Sequence, residues 1–294
     1  MFTGVYTPIV TPFDENGALD LERMKHNIDR WSQSELDGLL VLGSNGEFPY
    51  ISKPEKLELT RFVKENFGRK VLAGTGCHST AETIELNKEI AAHGVDAVLV
   101  LPSFYYRGGM TEEVLYAHFQ EVADKSPVPV LLYNMPANTG INLSSSLVSR
   151  LSKHENIVGI KDSSGNIVQI SEIVRSSPED FSVLAGSAGF MLPSLAVGAA
   201  GVIAALGNIM PERCCSLYKL FQDKKLDEAK ALQHAILEIN HTVTAGMGVP
   251  ALKAAMDMLG YKGGFVRKPL RQLSDEKKAI VEDVIQRCVS AVPA

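Results

Sequence analysis

The sequence predicts an α/β fold, a (β/α)8 TIM barrel followed by a C-terminal helical extension, and three observations carry that prediction. Short β-branched runs alternate with longer segments of helical apolar spacing as far as about Leu206. Several runs are almost wholly apolar, which marks strands covered on both faces in a parallel sheet. Eight such strand–helix units within roughly 200 to 250 residues is the size of a closed barrel, and the 294 residues of this chain leave room for an appendage. An open doubly wound sheet ranks below it, because no G-x-G-x-x-G follows the first strand and no acidic residue is placed to hold a ribose.

In chain order, the strand-like runs are Val5 to Val10, Gly38 to Leu42, Val71 to Gly74, Ala97 to Leu101, Val128 to Tyr133, Ile157 to Lys161, Val183 to Ala185 and Val202 to Ala205. Helical spacing covers Leu21 to Ser34, Lys53 to Asn66, Thr80 to His93, Thr111 to Lys125 and Leu143 to Lys153, with Asp20, Ser52, Ser79 and Ser145 near the starts as caps. Met191 to Met210 is uncharged and about as long as a bilayer is thick. Pro193, Gly198, Gly201, Gly207 and Asn208 instead break it into a short helix, a turn and a buried strand. We divide the chain into residues 1–210 as the barrel and 211–294 as its last helix plus a packed extension. That second part reads as helical throughout, with no linker before it.

A content of 45% hydrophobic and 21% charged residues is that of an ordinary folded enzyme. With a formal net charge of -5 and no run of Lys and Arg able to neutralise a row of phosphates, nucleic acid is a poor partner. Cys77, Cys214, Cys215 and Cys288 form neither a disulfide framework nor a C-x-x-C knuckle, which points to a reducing compartment. Met1 to Pro12 lacks the basic start and small-residue cleavage site of a signal peptide, so a cytoplasmic protein without a membrane partner is expected.

Catalytic groups of such barrels come from the carboxyl ends of strands, and three of those ends carry unusual residues. They are Gly43-Ser44-Asn45-Gly46-Glu47, Tyr133-Asn134-Met135-Pro136 and Gly159-Ile160-Lys161-Asp162. Lys161 follows an apolar run and should lie in the barrel mouth, where desolvation disfavours its charge. Amines so placed form imines with carbonyl substrates. The plain alternative is a surface lysine paired with Asp162. Tyr133 precedes Lys161 by 28 residues, about one β–α–β step, so its phenol can face the amine and shuttle protons. Its plain alternative is an aromatic packed at a strand end. Ser44 could relay that proton, and the Ser44 and Asn45 backbone N–H groups could hold a carboxylate, although Gly-Ser-Asn-Gly is most often only a turn.

Together with Leu184-Ala185-Gly186-Ser187 and Gly248-Val249-Pro250 plus Lys253, these motifs make the chain resemble the dihydrodipicolinate synthase and N-acetylneuraminate lyase family over essentially its whole length. The resemblance implies a class I pyruvate lyase or aldolase with no metal or organic cofactor, acting through a covalent imine, and usually a homotetramer built as a dimer of dimers. It implies Lys161 as the imine lysine, Tyr133 as the proton shuttle and Ser44 as the hydroxyl linked to it. Tyr105 would reach a neighbouring subunit's site, while Ser44, Asn45, Asn138, Gly186 and Ile203 would surround the 2-oxo acid. For Ile203 and its backbone carbonyl, plain barrel core is the alternative.

Members that condense pyruvate with aspartate semialdehyde usually carry an arginine shortly after the Tyr-Asn-x-Pro motif, where this chain has Asn138. A neutral amide cannot supply a charge-assisted bidentate bond. Ser44-Asn45-Gly46-Glu47-Phe48-Pro49, Tyr105-Tyr106-Arg107-Gly108, Pro136-Ala137-Asn138-Thr139-Gly140 and Leu184-Ala185-Gly186-Ser187-Ala188-Gly189-Phe190 look most like 4-hydroxy-2-oxoglutarate aldolase, which yields pyruvate and glyoxylate. Cleavage of a 4-hydroxy-2-oxo acid is therefore the leading reading, and dihydrodipicolinate synthesis the second. Three rivals remain. A metal-dependent aldolase needs converging ligands that the seven scattered histidines do not offer, with His78 nearest a strand end. A phosphosugar enzyme would use Gly186-Ser187-Ala188-Gly189. A non-enzymatic sensor of 2-oxo acids would keep Lys161 as a carboxylate partner.

Overall fold

Parallel pairing runs in sequence order all the way around the molecule. In the computed structural model, which describes residues 1–291, the strands are β1 (Gly4–Pro8), β2 (Gly38–Val41), β3 (Lys70–Gly74), β4 (Ala97–Val100), β5 (Val130–Asn134), β6 (Ile157–Asp162), β7 (Ser182–Ala185) and β8 (Gly201–Ile203). They close into a barrel as β8 pairs with β1. Each predicted run overlaps one of these strands, with shifted ends. The first stops at Pro8, beyond which the Val10 N–H turns to the Asn208 side chain at 3.2 Å. The fifth begins at Val130, because Pro129 has no N–H to give the ladder.

The barrel helices are α1 (Leu21–Ser32), α2 (Lys53–Asn66), α3 (Thr80–Ala91), α4 (Glu112–Lys125), the single turn α5 (Pro136–Thr139), α6 (Ser145–Leu151), α7 (Ile167–Ser176) and α8 (Met191–Ala196). Asp20 accepts the Arg23 N–H, Ser79 accepts that of Glu82, and Ser52 forms a capping box with Glu55. The cap of α6 is Ser144 rather than Ser145: its hydroxyl accepts the Leu147 N–H at 3.1 Å, and Ser145 is already the first helical residue.

Alternation along the strands sorts the side chains into two cores. Tyr6, Leu40, Leu72, Leu99, Leu131, Tyr133, Leu184 and Ile203 fill the barrel interior, while Val5, Val41, Val71, Val98, Val130 and Ile160 face the helices. Burying each such side chain contributes roughly 1.5–3 kcal/mol. The seam between β8 and β1 is laced by Asn208, whose amide donates to Pro8 O at 3.0 Å and Ala205 O at 2.9 Å.

Beyond the barrel strands lie α9 (Pro211–Gln222), α10 (Leu226–His241), a π-helical turn (Thr242–Gly246), α11 (Gly248–Met258) and α12 (Asp275–Ala291). The expectation of unbroken helix here is corrected for residues 261–274, which contain no helix. Phe265 in that stretch bridges Phe13, and the returning chain lies over the barrel mouth near β1. Residues 292–294 of the expected 211–294 segment lie outside the described residues. Among those described, no helix is long and apolar enough to cross a membrane.

Candidate active site

The pairing of β5 with β6 decides which side chains meet at the mouth. It starts with Val130 opposite Ile157, then shifts by one so that Leu131 faces Gly159 and Tyr133 faces Lys161. Without the extra residue, Val158, Tyr133 would face Ile160. A slip of one residue exchanges the two faces of a strand, so this bulge turns Lys161 into the barrel. Lys161 is 3% exposed, and its Nζ donates to the Tyr133 hydroxyl at 3.4 Å and stands 4.4 Å from the ring centroid. Asp162 points the other way and is not its partner. The Asp162 carboxylate accepts from the Asn134 side chain at 2.9 Å, from Gln169 at 3.0 Å and from the Ser164 N–H at 2.8 Å. That satisfied network pins the ends of β5 and β6.

After β2 the chain makes a tight turn, a 3-10 helix over Ser44–Gly46. Leu42 before it (φ 60°) and Glu47 after it (φ 59°) are both left-handed, two of the three non-glycine residues so found among the described residues. Strain of this kind, about 1–3 kcal/mol per residue, concentrates at functional sites. The turn brings the Ser44 hydroxyl to 3.5 Å from the Tyr133 hydroxyl. The N–H groups of Ser44 and Asn45 open the helix and have no intrahelical acceptor.

Ser44, Tyr133 and Asn138 line one cavity of about 470 Å³ at the mouth, with Phe48, His78 and Thr139 also in its wall. Lys161 is not in that wall but reaches it through its contact with Tyr133. Gly186 stands beside the site rather than in that wall: its N–H donates to Asp162 O at 2.7 Å, and a Cβ there would collide with Ser163. Ile203 is fully buried in the interior core with Tyr133. Tyr105 is 73% exposed, and within one chain its ring meets those of His78 and Tyr106 rather than Tyr133. Arg107 lies over Gly140 and has no ion-pair partner among the described residues.

Burial by itself would raise the Tyr133 phenol, but the neighbouring Lys161 ammonium and the hydroxyls of Ser44 and Ser163 outweigh it, and the phenol sits below its ordinary value. A phenol so tuned can give and take a proton beside an amine. Two residues were missed by sequence reasoning, and so was the pairing of two others that it singled out. Ser163 stands two residues past Lys161, hence on the same face, with a buried Oγ that helps to hold the Tyr133 phenol low. Lys56 lines the cavity over the Phe48 ring at 3.7 Å, its amine lowered by burial. Glu47 pairs with Lys253 at 2.5 Å beneath the turn. Strand alternation could have found Ser163, whereas the other two needed the tertiary fold. No group of three or more His, Cys, Asp or Glu gathers as a metal site among the described residues.

Comparison with known proteins agrees over nearly the full length. The Dihydrodipicolinate synthetase family matches residues 1–288. The chain is 36% identical to the 4-hydroxy-tetrahydrodipicolinate synthase of Listeria welshimeri, covering 96% of this chain and 97% of that one. To the enzyme of the same name from Methanothrix thermoacetophila it is 34% identical, covering 98% and 97%. Dihydrodipicolinate synthase DapA-2 of Bacillus anthracis superposes with a TM-score of 0.94 at 31% identity, covering 100% and 99%. A prophage protein of the dihydrodipicolinic acid synthase family from E. coli K12, solved with pyruvate, gives 0.92 at 30% identity, covering 98% and 99%. A closed parallel barrel, an amine and phenol at its mouth, and a match along the whole chain lead to one conclusion: this chain belongs to the dihydrodipicolinate synthetase family and is a carbon–carbon lyase of the aldolase type.

Proposed function

We propose that this chain makes or breaks a carbon–carbon bond next to pyruvate through an imine on Lys161. The observation that carries the reading is a buried amine 3.4 Å from a phenol of lowered pKa that lines a cavity. Lys161 in its amine form attacks the C2 carbonyl of a 2-oxo acid, and Tyr133 supplies the proton with which the carbinolamine oxygen leaves as water. The Ser44 and Asn45 N–H groups hold the carboxylate, with Gly186 beside the pocket against Ser163 and Ile203 behind it in the core that contains Tyr133. In the cleavage direction Tyr133 removes the proton of the 4-hydroxyl and C3–C4 breaks. Its electron pair forms the C2–C3 double bond of an enamine, and the aldehyde departs. Protonation at C3 and addition of water then return pyruvate and the free amine. Condensation runs the same steps backwards. Tyr105, exposed in the single chain, completes the relay of a neighbouring subunit within a homotetramer.

Two aldehyde partners have an observation behind them. The names of the relatives favour aspartate semialdehyde, hence dihydrodipicolinate synthesis, and the comparisons support this version better. The cavity wall favours cleavage of 4-hydroxy-2-oxoglutarate to pyruvate and glyoxylate, because it presents the neutral Asn138. Initial rates of both reactions on the same purified protein test the choice. Faster condensation of pyruvate with aspartate semialdehyde establishes the synthase version, and faster pyruvate release from 4-hydroxy-2-oxoglutarate establishes the aldolase version. Borohydride reduction with either substrate that leaves the protein unmodified would remove both.

A further inference from the structure

We propose that the buried ion pair between Lys253 and Glu47 positions Ser44, so that the C-terminal extension sets the proton relay at Tyr133. The proposal rests on the imine reading above.

Lys253 comes from α11, far along the chain from the barrel strands, yet its side chain is 1% exposed, as is that of Glu47. Its ammonium donates to the Thr11 carbonyl at 2.7 Å and the Phe265 carbonyl at 2.6 Å, and forms an ion pair with Glu47 Oε1 at 2.5 Å. The other carboxylate oxygen of Glu47 accepts the Arg267 N–H at 2.8 Å. A single buried node therefore ties together the loop after β1, the turn after β2 and the returning chain at residues 265–267. Replacing a buried pair by apolar groups of similar volume is often neutral or stabilising, so stability is a poor account of this one.

Geometry supplies a better account. Glu47 ends the Ser44–Gly46 turn in a left-handed conformation, and its N–H donates to Ser44 O at 3.2 Å. Thr11, held by Lys253 through its carbonyl, donates its hydroxyl to Gly46 O at 2.7 Å. The node thus grips the turn at both of its last residues. Ser44 in turn meets Tyr133 at 3.5 Å, the outer limit of a hydrogen bond. A contact this long is broken by a displacement of a few tenths of an ångström, which makes the relay sensitive to where the turn is held.

The test is a double-mutant cycle on full-length protein, with the rate of borohydride-trapped imine formation from pyruvate as the readout. Glu47→Gln keeps the shape and removes the charge, and should slow imine formation about tenfold, less than the about 10²-fold that a 1 Å misplacement costs. In a Ser44→Ala background the same change should alter the rate by less than about twofold, since the group it positions is gone. Lys253→Met should repeat the loss and Lys253→Arg recover part of it. Equal losses with and without the Ser44 hydroxyl would overturn the proposal, as would a wild-type rate in folded Glu47→Gln protein. If Glu47→Gln does not fold, the cycle between Lys253→Arg and Ser44→Ala decides by the same criterion. Wild-type protein that pyruvate and borohydride leave unmodified is a different failure, that of the imine itself.

Discussion

Replacing Tyr133 with Phe removes one oxygen and leaves the ring, which is 4% exposed and packed in the interior core, in place. Two groups lose a partner, the Lys161 ammonium at 3.4 Å and the Ser44 hydroxyl at 3.5 Å. Both contacts are long, so the stability cost falls at the low end of the about 1–3 kcal/mol of an unsatisfied buried group. The kinetic cost is larger. A positioned acid–base group contributes about 10²- to 10⁴-fold, equivalent to about 3–5 kcal/mol of barrier, and no other side chain donates to or accepts from this amine among the described residues. Pyruvate release from 4-hydroxy-2-oxoglutarate, followed by coupled NADH consumption, should therefore drop at least about 10²-fold while the thermal unfolding midpoint moves little. A folded Tyr133→Phe enzyme working within about threefold of wild type would refute general acid–base catalysis by this residue.

Three further outcomes follow from neighbouring contacts. Gly186→Ala drives a Cβ into the Ser163 side chain and backbone, and should destabilise by about 1–3 kcal/mol in denaturant melts while slowing imine formation; an unchanged midpoint would mean that this wall yields freely. Asn138→Arg places a guanidinium in the cavity wall. It should raise the ratio of aspartate semialdehyde condensation to hydroxy-oxo-glutarate cleavage about 10- to 100-fold, the range of one hydrogen bond between charged groups, and a constant ratio counts against the role given to Asn138. The third concerns acid. Arg267 grips Glu55 at 2.6 and 2.9 Å and, with help from Ser52, lowers its carboxyl to about 2. Because the folded value lies below the unfolded one, the associated stability is fully present above about pH 4.3 and is lost as pH falls through about 2. For this partly exposed pair it is on the order of 1 kcal/mol. Arg267→Gln should flatten that part of the curve, and an unaltered acid limb would assign it elsewhere.

The barrel was legible because strands such as Gly38–Val41 and Ala97–Val100 must be apolar on both faces, which leaves little else for the sequence to mean. Lys161 and Tyr133 stood out for the converse reason: a polar group near the end of such a strand that faces the barrel interior reaches the mouth. What sequence spacing could not contain was the register. Twenty-eight residues put the two on adjacent strands, but the bulge at Val158 puts them on one face. Ser144 displaced Ser145 as a cap because hydroxyls at successive positions look alike until the backbone chooses one. Residues 261–274 leave the helical pattern to cover the barrel, a tertiary demand with no local period. The pairing of Lys253 with Glu47 joins groups 206 positions apart, and only the closed fold reveals it.

The most direct test reduces the purified protein with borohydride in the presence of pyruvate and maps the modified peptide by mass spectrometry. A reduced pyruvyl adduct on Lys161, absent after Lys161→Ala, is the predicted result. An adduct on Lys56 or Lys253 instead, or none at saturating pyruvate, would contradict the assignment of the buried amine as nucleophile.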